Sequence, residues 1–308
     1  MVNKPNVVYV DLSDKALGVH KVSSRTTHNL VTPPIMPYPS AEHNGITEAW
    51  EALYPEGSIN PGNKEHPLGG FGFYLRGPPE FASILKQGAS EVLLSYSMAF
   101  ESDFAWALGG KLPGPYGGEG DSAYGCTGGR QTDRCRCFNL RLMWRKGGGG
   151  ELYAYVPNLG KNMERLKEVP PKSVQHPDYG LSVGMGAFRF RSGEWVGIAQ
   201  RVKLNTVGSD DGEIEVFVNG ERVILATGLT LRESNESLVQ GIHFQTFFGG
   251  RPLHSQSLPP RSRSHALESG HSPEWASPKA QKAWFSSVSG AILANECHGS
   301  NTFRHEDL

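Results

Sequence analysis

Asn219-Gly220 stands between two runs, 213–218 and 221–225, in which apolar and polar residues alternate. Both residues of that dipeptide tolerate the left-handed backbone that a two-residue type I′ turn requires, so the segment predicts a tight hairpin. The same period of two recurs elsewhere. In residues 91–100, Val92, Leu94, Tyr96, Met98 and Phe100 share one side, the mark of a half-buried strand. Further strands are expected over 69–76, 138–146, 151–156, 185–191, 194–204, 241–248 and 285–292. In residues 194–204, Val196, Ile198, Gln200 and Val202 share a face opposite Trp195, Arg201 and Lys203. Residues 50–54 read as a short helical turn, and 278–285 as the longest helix. Residues 101–130 read as a long glycine-rich loop carrying Lys111. A chain of 308 residues with 38 Gly, 21 Pro and short apolar runs therefore predicts an all-β sandwich in one domain. Its core is expected over about 50–292, with 251–270 a disordered insertion and 294–308 a tail of foreign composition.

Two of these strands carry polar side chains on one face. In residues 138–145, Phe138, Leu140, Leu142 and Trp144 form one side, and Asn139, Arg141, Met143 and Arg145 the other. Tyr153 and Tyr155 share a face of the next strand. His243 and Gln245 share a face of theirs and are candidates to line the same groove. Gln200, Arg201 and Lys203 are weaker candidates for an extended subsite, while Trp144, Phe244, Phe248 and Trp284 read as core. A surface with Arg, an amide, two phenols and a nearby lysine suits a polymer of uronic acids, which offers a carboxylate and several hydroxyls per sugar.

The Lys111-Leu112-Pro113-Gly114 segment, the Asn139-x-Arg141-x-Met143-Trp144-Arg145 strand and the Tyr153-x-Tyr155 strand resemble polysaccharide lyase family 14. Residues 244–250 and 50–55 resemble the fungal members most closely. Several alginate-cleaving members have Ser where this chain has Asn139. The resemblance implies a β-jelly roll of two antiparallel sheets, the concave one forming a substrate groove. It implies endolytic β-elimination of a β-1,4-linked polyuronate, glucuronan or polymannuronate, with Asn139 and the fungal likeness favouring glucuronan. Lys111, Arg141, Tyr153 and Tyr155 would be catalytic, and Asn139, His243 and Gln245 would bind substrate. Lys111 matches the family's most important lysine, either as the base or as a charge that lowers a tyrosine pKa. Tyr155 is favoured over Tyr153 as the phenolic base by a small margin. A non-catalytic lectin on the same sandwich is the rival reading.

The formal net charge of −1 would not steer a polyanion, so attraction must come from a local basic groove. The expected partner is the anionic polysaccharide, with neither nucleic acid nor membrane, and the chain is expected to be a monomer without a cofactor. Cys126 and Cys135 bracket a polar loop of the kind a disulfide closes; Cys137 is the alternative partner, and free thiols remain open. The Cys135-Arg136-Cys137 triplet lacks the spacing of a zinc site, so no metal is expected. No secretory signal pattern opens the chain, and an extracellular location is implied by the family resemblance alone.

Overall fold

The computed structural model describes residues 8–34, 47–130, 132–176, 179–250 and 273–295. In chain order the first strands are β1 (Val19–His20), β2 (Asn29–Val31), β3 (Ala49–Tyr54), β4 (Phe71–Leu75), β5 (Ala89–Phe100), β6 (Gly109–Leu112) and β7 (Gly114–Glu119). They continue as β8 (Cys137–Arg145), β9 (Gly149–Tyr155), β10 (Val174–Gln175), β11 (Leu181–Arg189), β12 (Trp195–Lys203), β13 (Gly212–Val218), β14 (Glu221–Leu229), β15 (Ser237–Phe248) and β16 (Gln281–Asn295). One sheet of nine strands runs β1-β4-β15-β6-β8-β9-β11-β10, with β7 pairing β15 and β8. The other, of seven, runs β14-β13-β12-β5-β16-β3-β2. Every pairing within them is antiparallel, and the two pack face to face as a β-jelly roll.

The alternation read from the sequence decides what lies between the sheets. Phe138, Leu140, Leu142 and Trp144 of β8 meet Val92, Leu94, Tyr96, Met98 and Phe100 of β5 in one core. Phe73 stacks on Phe71 at 5.5 Å and on Phe244 at 5.3 Å, and Trp50 meets Phe244 edge-on at 5.3 Å, geometries that favour aromatic pairs. Two buried polar struts join the layers. The Gln200 amide nitrogen donates to the Leu140 carbonyl at 2.8 Å, and the Tyr96 hydroxyl donates to the Pro113 carbonyl at 3.1 Å. The hairpin is as expected: Asn219 and Gly220 have φ of 50° and 83°, and Val218 pairs with Glu221.

Several expectations are corrected. Residues 50–54 are strand, within β3, because they pair with β16. The segment 278–285 is no helix: β16 starts at Gln281, and its pairing with β3 and β5 overrides local propensity. Lys111 lies on a strand rather than in a loop, since β6 and β7 occupy Gly109–Leu112 and Gly114–Glu119 within 101–130. Their glycines are there for close approach. A Cβ on Gly110 would lie 2.1 Å from the Trp144 ring, and one on Gly114 would lie 2.0 Å from the Leu140 carbonyl oxygen. Two short helices, α1 (Pro79–Lys86) and α2 (Gly160–Lys167), carry too few apolar positions to show in the pattern. Trp284 is buried, but with Ala49, Ala99 and Trp195 on the far side of the seven-stranded sheet. Arg201 lies on that sheet's outer side, paired with Glu91 at 2.6 Å and Glu213 at 2.7 Å. Lys203 pairs with Glu213 at 3.2 Å. With Gln200 spent on the core, these three residues form no subsite. The segments 251–270 and 296–308 lie outside the described residues.

The disulfide joins Cys126 to Cys137, with Cα atoms 5.7 Å apart; Cys135, the first expected partner, is a free and exposed thiol. Cys137 opens β8 and is buried with Cys126 and Tyr155 on the face that carries Asn139 and Arg141, whereas Cys135 is exposed on a short 3-10 turn. Closing this loop stabilises the fold by roughly 2–3 kcal/mol. Replacing both Cys126 and Cys137 by Ala is expected to lower the urea-unfolding free energy by that amount; an unchanged midpoint and slope would refute it.

Candidate active site

The face of the nine-stranded sheet that turns away from the core gathers the expected residues. Register places Arg141 opposite Tyr153 and Asn139 opposite Tyr155 across β8 and β9. Lys111 on β6 is opposite Met143 on one side and Phe247 on the other. His243 and Gln245 alternate along β15 with Ile242, Phe244 and Thr246, which face the core. All seven predicted site residues therefore share one face, and contacts link them.

Lys111 is only 7% exposed. Its Nζ lies 2.6 Å from Met143 Sδ and 2.9 Å above the Tyr153 ring centre. Among the described residues no carboxylate pairs with it. Burial, then the charges of Arg141 and Arg145, hold its pKa well below the ordinary lysine range. The amine is therefore pushed towards its neutral form.

Arg141 is 2% exposed. Its Nη1 donates to Gln245 Oε1 at 2.6 Å and its Nη2 to Thr127 Oγ1 at 3.0 Å, while its Nε–H is buried without a partner. Gln245 thus reaches the site by holding this guanidinium. Asn139 Nδ2 donates to His243 Nδ1 at 3.0 Å, and Asn139 Oδ1 is buried without a partner. An amide facing an imidazole can reverse these roles, with Nδ1–H donating to the oxygen and the NH₂ left over. His243 is stacked on Tyr74 at 4.2 Å. Burial, then Arg141, lowers its pKa well below the usual value, so it is neutral near pH 7.

The two tyrosines differ in exposure. Tyr155 is 2% exposed and packs on the disulfide; Tyr153 is half-buried and opens to the surface. Their rings meet edge-on at 5.5 Å. Burial, then Tyr155, raises the Tyr153 pKa well above 10, although the Gly180 N–H donates to its hydroxyl. Burial raises Tyr155 as well, opposed by Arg141 and Arg134. Arg145, on the same face, is spoken for: its Nε and Nη2 grip the buried Glu151 at 2.9 and 2.6 Å.

Two contributors were missed in the sequence. Thr127 holds Arg141, and Arg134 lies over the Tyr155 ring at 4.9 Å. Both sit in the loop closed by the disulfide, and only the cysteine spacing hinted that this loop is fixed.

A family model described as Polysaccharide lyase 14 matches residues 42–266. The chain is similar to the marine PL-14 alginate lyase from Aplysia kurodai, at 30% identity and a TM-score of 0.64, covering 91% of this chain and 94% of that one. It also shares its fold with alginate lyase vAL-1 from Chlorella virus, at 19% identity and a TM-score of 0.57, covering 90% and 93%. Among curated proteins none matches. The matched segment spans most of the 308 residues and holds all seven residues of the site, and the chain belongs to polysaccharide lyase family 14.

Proposed function

We propose that this lyase cleaves a β-1,4-linked polyuronate, glucuronan or the mannuronate blocks of alginate, by endolytic syn β-elimination. In both polymers H5 and O4 lie on the same side of the ring, so base and acid must stand together. The observation that carries the reading is the buried Lys111 amine, without a carboxylate partner and set directly over Tyr153. A lectin has no use for such an amine.

The geometry supports the following roles. The neutral Lys111 amine takes the C5 proton. The electrons move into the C6 carboxylate as an enolate, stabilised by the Arg141 charge and its free Nε–H. The amide of Asn139 supplies a further hydrogen bond to the same group. The C4=C5 bond forms, the C4–O4 bond breaks, and the Tyr153 phenol gives its proton to O4. The Lys111 ammonium then returns a proton to the phenolate, which restores both groups without water being consumed. Tyr153 rather than Tyr155 takes the acid's part because it alone opens to the surface. Tyr155 supports it from behind.

The likeness to an alginate lyase from Aplysia kurodai supports alginate as the substrate, and the Asn139 departure favours glucuronan. The disulfide supports an extracellular location. The test is to incubate the protein with glucuronan, polymannuronate and polyguluronate and follow the ultraviolet absorbance of the new C4=C5 bond. Absorbance should rise with one or both of the first two, with an early fall in viscosity. Polyguluronate, epimeric at C5, places H5 and O4 on opposite faces and should stay intact. No absorbance change with any polymer would favour the lectin.

A further inference from the structure

The polar face does not end at His243. Tyr74 of β4 stacks on His243 and meets Tyr124 edge-on at 4.8 Å. Tyr124 is the hub of a second cluster, formed with His20, Lys21 and Arg76. His20 Nδ1 lies 3.0 Å from the Gly18 carbonyl and must donate to it, which leaves Nε2 an acceptor. The Tyr124 hydroxyl therefore donates to Nε2 at 2.9 Å, and it accepts from Arg76 Nη2 at 3.0 Å. Lys21 Nζ lies 4.1 Å over the Tyr124 ring.

Three features set this cluster apart. Lys21 and Arg76 are exposed, and among the described residues no carboxylate pairs with either. Arg145 and Arg136, elsewhere on the sheet, are each matched to a glutamate. Two cations around one phenol with no anion between them repel each other, a cost that an anionic ligand would relieve. Lys21 also has φ of 49°, in the left-handed region that favours glycine. A lysine held there carries backbone strain that a glycine would not. Finally, the cluster is continuous with the reaction centre. From Arg141 on β8 to His20 on β1 the sheet order counts four strand steps, roughly 19 Å at the usual spacing.

We infer that Lys21, Arg76 and Tyr124 form a distal subsite that binds the carboxylate and hydroxyls of a uronate residue several sugars from the bond being cut. This rests on the polyuronate reading and gives it a length requirement. The polymer lies across the strands, and Tyr74 with His243 forms its floor between the two sites.

The experiment compares wild type with the Lys21→Ala/Arg76→Ala double variant on whichever polyuronate is cleaved and on its tetrasaccharide. KM for the polymer should rise about fivefold, the size of two exposed ion pairs, with kcat within twofold. Constants for the tetrasaccharide, too short to reach β1, should be unchanged. Tyr124→Phe, which keeps the ring, should give a smaller rise. An unchanged polymer KM, or an equal rise on the tetrasaccharide, overturns the subsite. Electrophoresis in the inactive Lys111→Ala background, through gels with and without uncut polyuronate, reads the subsite without turnover. There the polymer should retard the protein with Lys21 and Arg76 intact more than the one lacking both, and equal retardation overturns the proposal. Wild type that is retarded but cleaves nothing leaves the subsite standing and removes the lyase mechanism instead.

Discussion

Lys111→Ala is expected to lower kcat on polyuronate by about 10²–10⁴-fold, the usual worth of a positioned base, while the protein stays folded and binds polymer. The wild-type pH profile carries the signature. The rate should climb as the amine loses its proton, and because the folded pKa is depressed that climb lies below 10.5. It should fall again above pH 10, where Tyr153 ionises and ceases to be an acid. In Lys111→Ala the lysine's ascending limb should vanish. The same depression makes a statement about stability. Between the folded and unfolded lysine pKa values the unfolded chain binds more protons, so stability rises with pH across that window and the penalty is complete below it. Lys111→Met removes the penalty and should raise the melting temperature at pH 7 while abolishing turnover. Near-normal turnover in folded Lys111→Ala would remove lysine from the base's role, as would an ascending limb that persists unchanged.

Tyr153→Phe should cost a comparable factor, about 10²–10⁴-fold in kcat, with polymer affinity nearly intact because the ring still lies under Lys111. The descending limb above pH 10 should disappear with the phenol. Tyr155→Phe should cost much less, since that hydroxyl is buried against the disulfide and supports Tyr153. The comparison is made at saturating polymer across the pH range. If Tyr155→Phe is the dead protein and Tyr153→Phe the live one, the two assignments exchange. If both keep wild-type rates, neither phenol is the acid.

The sandwich was legible wherever one face of a strand is buried and the other is not. β8 is the clearest case: Phe138, Leu140, Leu142 and Trp144 went inward as the pattern required, and Asn139 and Arg141 outward. β6 was not legible, because glycine is a loop residue in a single sequence and a close-packing residue beneath Trp144. β16 was hidden for a different reason: its first residues suit a helix, and only the neighbouring strands overrule them. Within the site, side-chain type and face could be read, but exposure could not. Whether Tyr153 or Tyr155 reaches the surface depends on the disulfide-closed loop, whose path no periodicity records. Nor could the cluster around Tyr124 be foreseen, since His20, Arg76 and Tyr124 meet across about a hundred residues of chain, with Tyr116 3.5 Å from the same imidazole.

The loop between Cys126 and Cys137 has a practical bearing on how the protein is made. Thr127 grips Arg141 and Arg134 covers Tyr155, yet neither is anchored by a strand; the covalent link fixes where both stand. In a host that keeps thiols reduced, this wall would be free to drift while the two sheets still assembled around their aromatic interior. Such a preparation would look well folded by circular dichroism and migrate normally, yet contain a mixture of competent and incompetent molecules. Specific activity would then track the oxidised fraction, and the exposed Cys135, two residues from Cys137, would offer the wrong partner during oxidation.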